Sequence, residues 1–363
     1  MIDRRLFTYF DWMMLAVIAA LAIIGFASVY SATHTHQPMI FKKDTYWLAI
    51  GALFMLLTIF INYNIFERYA YVLYGVTILV LISVFFIGST FGGAKRWISL
   101  GFFSLQPSEI AKLALIMVLA KYLNVRNVPA KGMTLKDLVV PGLFMLLPFL
   151  LIAKQPDLGT GIILWMIFWS MVLVSKIRLK VLIGIFVSFA ALAPIAWMFL
   201  KGYQKARLTS FMSPESDPLG TGYHVMQSKI AIGSGGLFGK GFLHGTQGKL
   251  MFLPEHHTDF IFAVLAEEWG LVGTFTVLAL FLAFILMALN TANTAKDRFG
   301  FLLAFGITSM FFWQVTINIG MVSGILPVVG VPLPFISYGG SFLITSMMAA
   351  GILLNIKMRR FIF

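Results

Sequence analysis

The chain has 363 residues, of which 60% are hydrophobic and only 11% are charged, and its mean hydropathy is +0.91. This composition excludes an ordinary soluble domain and indicates a protein that is embedded in a lipid bilayer. The formal net charge is +13, but the basic residues are scattered between apolar runs, so we do not expect nucleic-acid binding. The chain has no cysteine, which excludes disulfides and thiolate sites.

Ten apolar runs are long enough to cross about 30 Å of hydrocarbon. They lie near residues 12–31, 45–62, 69–88, 106–123, 138–153, 158–174, 180–200, 259–289, 300–323 and 337–356. The fifth and sixth runs are short and only four residues apart, so we expect a helical hairpin there. The predicted fold is therefore all-α, a polytopic integral membrane protein with about ten transmembrane helices. We treat residues 1–363 as one membrane domain.

The distribution of Lys and Arg between the short loops predicts the orientation in the membrane. With the N-terminus inside, the cytoplasmic loops and termini carry fifteen of these residues, and the short loops on the other side carry five. Both termini are therefore expected in the cytoplasm. The segment 201–258, between the seventh and eighth spans, then becomes a large extracytoplasmic loop, and we expect function in this polar, Gly-rich segment.

Asp259, at the start of the eighth span, is the strongest candidate for chemistry. One interpretation is a helix N-cap, in which Thr258 or Asp259 accepts hydrogen bonds from free backbone N–H groups. A second interpretation is a site for a lipid with a polar head group, because small residues on the same helix face would leave a groove below the carboxylate. These small residues, which also suit close helix packing, are Ala263, Ala266 and Gly270.

Other polar groups in apolar surroundings have structural and functional interpretations. Glu267 and Glu268 lie deep in the eighth span, where we favour paired structural groups over a polar path. Glu109 and Lys112 are one helical turn apart, which predicts an internal ion pair. The Gly-rich segment 233–241 is either a mobile loop or a set of backbone donors for a pyrophosphate or a sugar.

The residues around Asp259 do not predict a tight metal site. His256 and His257 are adjacent and no further ligands follow at the spacing of a structural zinc site. We therefore expect no tightly bound cofactor. A loosely held divalent cation, Mg²⁺ or Mn²⁺, that joins Asp259 to substrate phosphates stays an open alternative.

A series of short motifs, in order along the whole chain, resembles the SEDS family (shape, elongation, division and sporulation). The similarity is greater to the branch that maintains rod shape than to the division branch. One departure is His256, which stands where close relatives often carry Arg. The motifs are GAKRW (93–97), QPSEIAK (106–112), QPDLGT (155–160), PESDPLG (214–220), QSKIAIG (227–233), EHHTD (255–259), GMVSGILP (320–327) and PLPFISYGG (332–340).

The resemblance implies a peptidoglycan glycosyltransferase that polymerises lipid II, an undecaprenyl-pyrophosphoryl disaccharide-pentapeptide, during cell elongation. It also implies that the chain lies in the cytoplasmic (inner) membrane of a bacterium, with its active site on the extracytoplasmic side. It implies that Asp259 is the essential carboxylate. Since an α-linked donor gives a β-linked product, direct inversion needs a general base, and Asp259 is the candidate. The implied partners are a class B penicillin-binding protein, which is a transpeptidase, and other membrane proteins of the elongation complex.

Thirteen further residues are expected to contact the substrate. Some match family motifs, and five cations of the extracytoplasmic loops are available to stabilise negative charge on the departing pyrophosphate, namely Lys95, Arg96, Arg207, Lys229 and Lys240. They are Lys95, Arg96, Trp97, Gln106, Ser108, Glu109, Lys112, Asp157, Arg207, Lys229, Lys240, His257 and Thr258.

Two other functions are weighed against the polymerase. A lipid II flippase would use the acidic and basic groups Glu109, Lys112, Glu267 and Glu268 along a passage through the membrane. The concentration of polar residues in the loop 201–258 favours the polymerase, because a flippase needs polar groups through the full depth. A non-catalytic scaffold would leave the cluster around Asp259 without a purpose.

Overall fold

The structure, a computed structural model, describes residues 9–91, 94–99, 101, 104–126, 132–199, 202–212, 220–246 and 257–361. Ten long helices in these ranges coincide with the ten predicted apolar runs, which confirms the all-α polytopic fold. Two shorter helices and three short strands are added. The elements are α1 (Trp12–Thr33), α2 (Pro38–Phe60), α3 (Tyr63–Ile87), β1 (Ser89–Phe91), β2 (Ala94–Ser99), β3 (Ser104–Leu105), α4 (Pro107–Val125), α5 (Leu135–Lys154), α6 (Leu158–Val174), α7 (Leu179–Phe199), α8 (Gly202–Met212), α9 (Thr221–Ser234), α10 (Ile261–Asn293), α11 (Arg298–Val322) and α12 (Gly340–Met358).

The long helices differ in whether their own length and hydropathy are sufficient to span a bilayer. Seven helices are long and apolar enough to span, namely α1, α2, α3, α5, α10, α11 and α12. The apolar part of α6 and α7 is shorter. Helix α4 carries three charged residues, and it is enclosed by α3, α5, α6, α11 and α12. Charge is tolerated at membrane depth where protein surrounds it, which explains the central position of α4.

The closest helix pair is α2 with α12, and it forms one side of the bundle. A methyl group at Gly351 would lie 2.6 Å from the carbonyl oxygen of Met55, so only glycine permits this approach. The buried amide of Asn355 donates to the carbonyl oxygens of Thr58 and Ile59, at 3.1 and 2.6 Å. It thereby satisfies acceptors at the end of α2 that have no partner within the helix.

A small antiparallel sheet, which the prediction of an all-α chain misses, joins α3 to α4. Strand β2 pairs with β1 on one side and with β3 on the other. This sheet lies at the same end of the bundle as the segments 202–246 and 323–339, and we call this the loop end. One link is the hydrogen bond from Gln106 N to Ser341 Oγ (3.0 Å), and a second is from Tyr338 N to His257 O (3.0 Å).

The predicted loop 201–258 is folded where it is described. It contains α8 and α9, followed by a segment of turns at residues 235–246 that we call the strap. The strap packs where α10 is broken at Gly270, whose φ is +64° and ψ is −159°. Four backbone hydrogen bonds replace the interrupted helical ones: Leu271 N to Gly236 O (2.9 Å), Val272 N to Leu237 O (3.1 Å), Lys240 N to Glu267 O (3.0 Å) and Gly241 N to Glu268 O (2.9 Å).

Glu267 and Glu268 hold the strap, in agreement with the structural interpretation. Glu267 is fully buried, and its Oε1 accepts hydrogen bonds from Lys240 Nζ (2.7 Å) and from the backbone N–H of Thr246 (2.8 Å). Glu268 accepts a hydrogen bond from the hydroxyl of Ser31 on α1. The carboxylates therefore connect the strap to two transmembrane helices.

The strap also fills the face of α10 on which small residues predicted a groove. Ala263 and Ala266 are both buried, and a methyl group at Gly235 would overlap the carbonyl oxygen of Ala266. Gly270 approaches the backbone of Leu237 as closely. The small residues serve close packing of this chain, so the prediction of an open lipid groove along this face is wrong.

Candidate active site

Three consecutive carbonyl groups, at residues 257–259, are each held by a different donor. The carbonyl of His257 accepts from Tyr338 N (3.0 Å), and that of Thr258 accepts from Ser337 Oγ (2.6 Å). The carbonyl of Asp259 accepts from the amide Nδ2 of Asn318, at 2.9 Å. Fixing three peptides in succession fixes the direction of the side chains that they carry, which is the preorganisation that a catalytic group requires.

Asp259 does not occupy the N-cap position of α10. The helix begins at Ile261, and its N-cap residue is Phe260, whose side chain makes no capping hydrogen bond. The N-cap position is therefore one residue after Asp259 and two residues after Thr258. The Asp259 carboxylate is half-buried and faces Gly330, where a methyl group would lie 3.2 Å from Oδ2.

The α11–α12 loop (323–339) supplies most of this support. Asn318 donates a second hydrogen bond to Val331 O at 2.7 Å, and Ser337 Oγ accepts from Leu333 N at 2.8 Å. The ring of Phe335 packs between α10 and α11, with centroids 5.5 Å from Phe284 and 5.3 Å from Phe311. The loop is thus anchored inside the bundle, and a rigid loop beside Asp259 suits an active site.

A second cluster is centred on Asp157, the N-cap residue of α6. Its Oδ2 accepts hydrogen bonds from Gln106 Nε2 (3.1 Å), Ser108 Oγ (3.2 Å) and Thr160 Oγ1 (3.0 Å). The guanidinium of Arg96 lies 3.8 Å from Oδ1. The structure therefore brings four of the predicted substrate residues together, and their mutual contacts join the sheet, α4 and α6.

The two clusters meet through Gly159. A methyl group there would lie 2.7 Å from Val329 O and 2.9 Å from Gly330 O, so the start of α6 touches the α11–α12 loop without a side chain between them. Gly330 faces Asp259 on its other side. The Asp157 cluster therefore supports the loop that borders Asp259.

Glu109 and Lys112 form the predicted ion pair. Lys112 Nζ lies 2.7 Å from Glu109 Oε2, both side chains are buried, and the ammonium lies 5.2 Å from the centroid of the Phe342 ring. The pair occupies the turn of α4 next to Ser108. Each charge compensates the other, so neither is left unpaired in the buried start of α4.

Arg207 and Lys229 line a cavity between α8, α9 and the α11–α12 loop. The cavity is a small cleft that is open to solvent on one side. Arg207 also donates from Nη1 to Val329 O at 3.4 Å, beside Gly330. The lining residues are Arg207, Ser210, Phe211, Val225, Lys229, Gly324, Pro327 and Val328.

Two other predicted cations make structural contacts. Lys95 donates from Nζ to the carbonyls of Phe85 (2.8 Å) and Phe86 (3.2 Å), close to the C-terminal end of α3, where a cation is favoured. Lys240 belongs to the strap and pairs with Glu267. Trp97 lies on β2, where its carbonyl accepts from Ser89 Oγ at 3.1 Å.

A polar cluster behind His257 has no counterpart in the sequence analysis. The imidazole lies 5.7 Å from the ring of Tyr338, which is hydrogen-bonded to Trp47, and the buried Asp44 lies nearby. Burial raises the pKa of the Tyr338 phenol, so this group stays protonated at neutral pH. Tyr338 thus acts as a neutral packing and hydrogen-bonding neighbour of His257.

Sequence reasoning missed Asn318, Ser337 and Ser341, which position the site through backbone contacts. Asn318 was detectable as a polar amide within an otherwise apolar span, because such groups are usually buried with partners. The long Pro- and Gly-containing connection 323–339 was a second signal. Neither signal identifies which carbonyls these side chains bind.

No group of three or more carboxylate or imidazole side chains suited to a metal occurs within the described ranges. Glu255 and His256, which belong to the predicted EHHTD motif, lie outside those ranges. The Asp259 carboxylate faces the α11–α12 loop at Gly330.

Comparison with known proteins extends over nearly the whole chain. It is 44% identical over 353 residues to the peptidoglycan glycosyltransferase MrdB of Escherichia coli K12, covering 97% of this chain and 94% of that protein. It is 33% identical over 427 residues to the peptidoglycan glycosyltransferase RodA of Treponema pallidum, covering 97% and 98% of the two chains.

Two solved structures are also similar to this chain over nearly its whole length. One is a chain from a peptidoglycan synthase complex that coordinates polymerization and crosslinking, with a TM-score of 0.85, 31% identity and coverage of 98% and 99% of the two chains. Another is the crystal structure of the rod shape determining protein RodA of Thermus thermophilus, with a TM-score of 0.73, 30% identity and coverage of 97% and 98%. A family model described as cell cycle protein matches residues 5–361, and the chain therefore belongs to the FtsW/RodA/SpoVE family.

Proposed function

We propose that this protein is a peptidoglycan glycosyltransferase that polymerises lipid II into glycan strands for cell elongation. The relatives named above support the activity. The observation that carries the role of Asp259 is the fixation of the three carbonyls at 257–259, which aims one carboxylate at the α11–α12 loop. The elongation role rests on similarity to proteins named for rod shape.

The reaction assigned to Asp259 is a direct inverting transfer. The carboxylate accepts the proton of the acceptor's sugar 4-hydroxyl as that oxygen bonds to the anomeric carbon of the donor. The bond from this carbon to the pyrophosphate oxygen breaks, and undecaprenyl pyrophosphate leaves with the electron pair. One glycosidic bond replaces one glycosyl-phosphate bond. The immobile peptide of Asp259 keeps the carboxylate in place during this step.

The distribution of polar groups supports a polymerase over a flippase. The acidic residues that the flippase hypothesis needs are engaged in structure: Glu109 pairs with Lys112, and Glu267 and Glu268 hold the strap. Below them, the central helix α4 is apolar and buried from Leu113 to Ala120. A charged head group would meet only apolar side chains along this stretch of α4, so transport is the weaker hypothesis.

We place the loop end on the extracytoplasmic side, with both termini in the cytoplasm. The support is the excess of Lys and Arg on the other side, fifteen against five in the short loops. We also assign a class B penicillin-binding protein as partner, because a structural relative comes from a complex that couples polymerization with crosslinking. Contact with other elongation-complex membrane proteins stays an expectation from the family resemblance.

A divalent cation, Mg²⁺ or Mn²⁺, fits beside Asp259 as a substrate-bound ion. The described residues offer it one half-buried carboxylate, and Mg²⁺ commonly binds one or two carboxylates together with substrate phosphates and water. Bound there, the ion would neutralise charge on the leaving group. Asp259 would hold it, while the peptide contacts at 257–259 would orient that carboxylate.

The experiment is polymerisation of lipid II by the purified protein, alone and with its penicillin-binding partner. Asp259→Asn keeps the size of the side chain and removes the base, so we expect at least a hundredfold loss of strands from a folded protein. The matched control is Asp297→Asn. Asp297 caps α11 by accepting from Gly300 N (2.6 Å), and because Asn also caps helices, full activity is expected.

The outcomes separate the hypotheses. Glycan strands from wild type and from the Asp297 variant, with none from the Asp259 variant, support the polymerase and the base. If no protein makes strands even with partner and Mg²⁺, while wild type moves lipid II across vesicle membranes, the flippase replaces the polymerase. Activity that survives chelation of divalent ions would remove the cation from the mechanism.

A further inference from the structure

We propose that the cavity between α8, α9 and the α11–α12 loop binds the pyrophosphate of the lipid-linked donor, with Arg207 and Lys229 as its anion-binding groups. This inference rests on the proposed polymerase function and assigns the leaving group to one place in the fold. The ligand class is a lipid-linked or free pyrophosphate.

The lining of the cavity suits a compact anion. It combines two cations with the hydroxyl-bearing Ser210, while the other lining side chains are apolar or glycine. A guanidinium offers a planar set of donors to phosphate oxygens, and an ammonium adds a concentrated point charge. The described residues that line the cavity include no carboxylate, so an entering phosphate meets no like charge from them.

Lys229 differs from the other predicted lysines in its surroundings. Lys95 donates to the end of α3, Lys112 pairs with Glu109 and Lys240 pairs with Glu267. Lys229 forms no ion pair with any carboxylate in the part of the chain that the structure describes. The charge at Lys229 is therefore available to a ligand.

Gly324 keeps room for this lysine. Its φ is +71°, and a methyl group there would lie 2.7 Å from Lys229 Nζ. The close approach and the left-handed backbone both favour glycine at this position. The end of the Lys229 side chain therefore lies against the backbone of the α11–α12 loop at Gly324, where both residues line the cavity.

The position of the cavity relative to Asp259 fits the chemistry of inversion. Arg207 contacts Val329, and the next residue, Gly330, faces the Asp259 carboxylate. Consecutive Cα atoms are about 3.8 Å apart, so Arg207 and the Asp259 carboxylate lie next to the same two-residue piece of the α11–α12 loop. A donor with its pyrophosphate in the cavity can present its anomeric carbon near Asp259.

The phosphate of an ordinary phospholipid has related chemistry, and the experiment must distinguish the two sources. Inorganic pyrophosphate serves as the free probe, and vesicles or micelles with and without phosphatidylglycerol test the headgroup. Because a phospholipid carries one phosphodiester charge, we expect pyrophosphate to bind more tightly than phosphatidylglycerol.

The test measures two quantities on the full chain: inhibition of lipid II polymerisation by inorganic pyrophosphate, and the rise of the thermal unfolding midpoint that pyrophosphate causes. Lys229→Met is expected to weaken both effects and to raise the KM for lipid II at least tenfold, since one charge-assisted contact is lost. Lys229→Arg is expected to restore most of the binding. Lys205→Gln is the matched control, because it removes a charge from α8 outside the cavity lining and should match wild type.

Each outcome bears on one hypothesis. Equal pyrophosphate binding and equal KM in wild type and Lys229→Met overturn the cavity assignment, whatever the polymerase activity. Pyrophosphate binding that depends on Lys229 in a protein that makes no strands supports the cavity and rejects the polymerase. Loss of the pyrophosphate effect only when phosphatidylglycerol is present assigns the cavity to phospholipid headgroups and overturns the donor assignment.

Discussion

Replacing Asn318 by Leu is the sharpest test of how the fold positions Asp259. The amide donates to Asp259 O at 2.9 Å and to Val331 O at 2.7 Å, and the residue is fully buried. Leu has a similar size and cannot donate. Each buried carbonyl that loses its donor costs about 1–3 kcal/mol, so the free energy of unfolding should fall by about 2–4 kcal/mol.

The same change should reduce catalysis more than it reduces folding. With the Asp259 carbonyl released, the carboxylate is no longer fixed from α11, and a displacement of about 1 Å can cost about a hundredfold in rate. We therefore expect kcat for lipid II polymerisation to fall at least tenfold in the folded protein. Thermal unfolding in detergent gives the stability, and polymerisation at a temperature where the protein is folded gives kcat.

Asn355→Leu provides the matched control, because Asn355 is also fully buried and donates to backbone carbonyls at the end of α2, far along the chain from the site. Its stability loss should equal or exceed that of Asn318→Leu, while kcat of the folded fraction stays within about twofold of wild type. If both variants lose stability and neither loses kcat, Asn318 is a structural amide and the positioning argument is refuted.

Three further substitutions test other contacts. Gly159→Ala should lower both kcat and the unfolding midpoint, because its methyl group would overlap the α11–α12 loop, whereas Gly161→Ala meets only a ring edge at 3.4 Å and should change little. Glu267→Gln removes the carboxylate that holds the strap, and protease cleavage within 235–246 should become faster as stability falls by about 2 kcal/mol. Gly351→Ala should separate α2 from α12 and destabilise the protein strongly, while Gly75→Ala, which faces open space, should be neutral.

The transmembrane helices could be predicted because hydrocarbon imposes a length and an apolar composition on each of them. Even α4, which carries three charged residues, was recognisable from the apolar run that follows Glu109 and Lys112. The helical hairpin of α5 and α6 also agrees with prediction: α5 ends at Lys154 and α6 begins at Leu158. These features depend on local sequence alone, so they can be predicted without knowing which helices pack against each other.

The break in α10 could not be predicted from its sequence, because its cause lies in another segment. Gly270 sits within an apolar run that reads as one continuous helix. Only the strap, about thirty residues earlier, supplies the carbonyl and N–H groups that make a break tolerable at this depth. The Gly-rich composition of this segment is visible in the sequence, but its role as a packing partner of α10 depends on tertiary structure.

The sequence also could not separate ligand-binding cations from structural ones. Five cations of the loops were equally plausible partners for pyrophosphate, since each lies near the same predicted surface. In the structure, Arg96 pairs with Asp157, and Lys240 pairs with Glu267. Lys95 donates a hydrogen bond to a carbonyl near the C-terminal end of α3. Arg207 and Lys229 remain as the cations that line a cavity.

This division of charges follows from the cost of burial. A cation close to a membrane-embedded fold is stabilised when a carboxylate or a helix end compensates it, and three of the five have such compensation. A binding site for an anion must leave its cations uncompensated by carboxylates until the ligand arrives. Among the described residues, the cavity meets this condition at Lys229, and the cavity residue Arg207 contacts Val329, next to the Gly330 that faces Asp259. The α11–α12 loop, which touches both groups, is therefore the element on which coupling between base and leaving group depends.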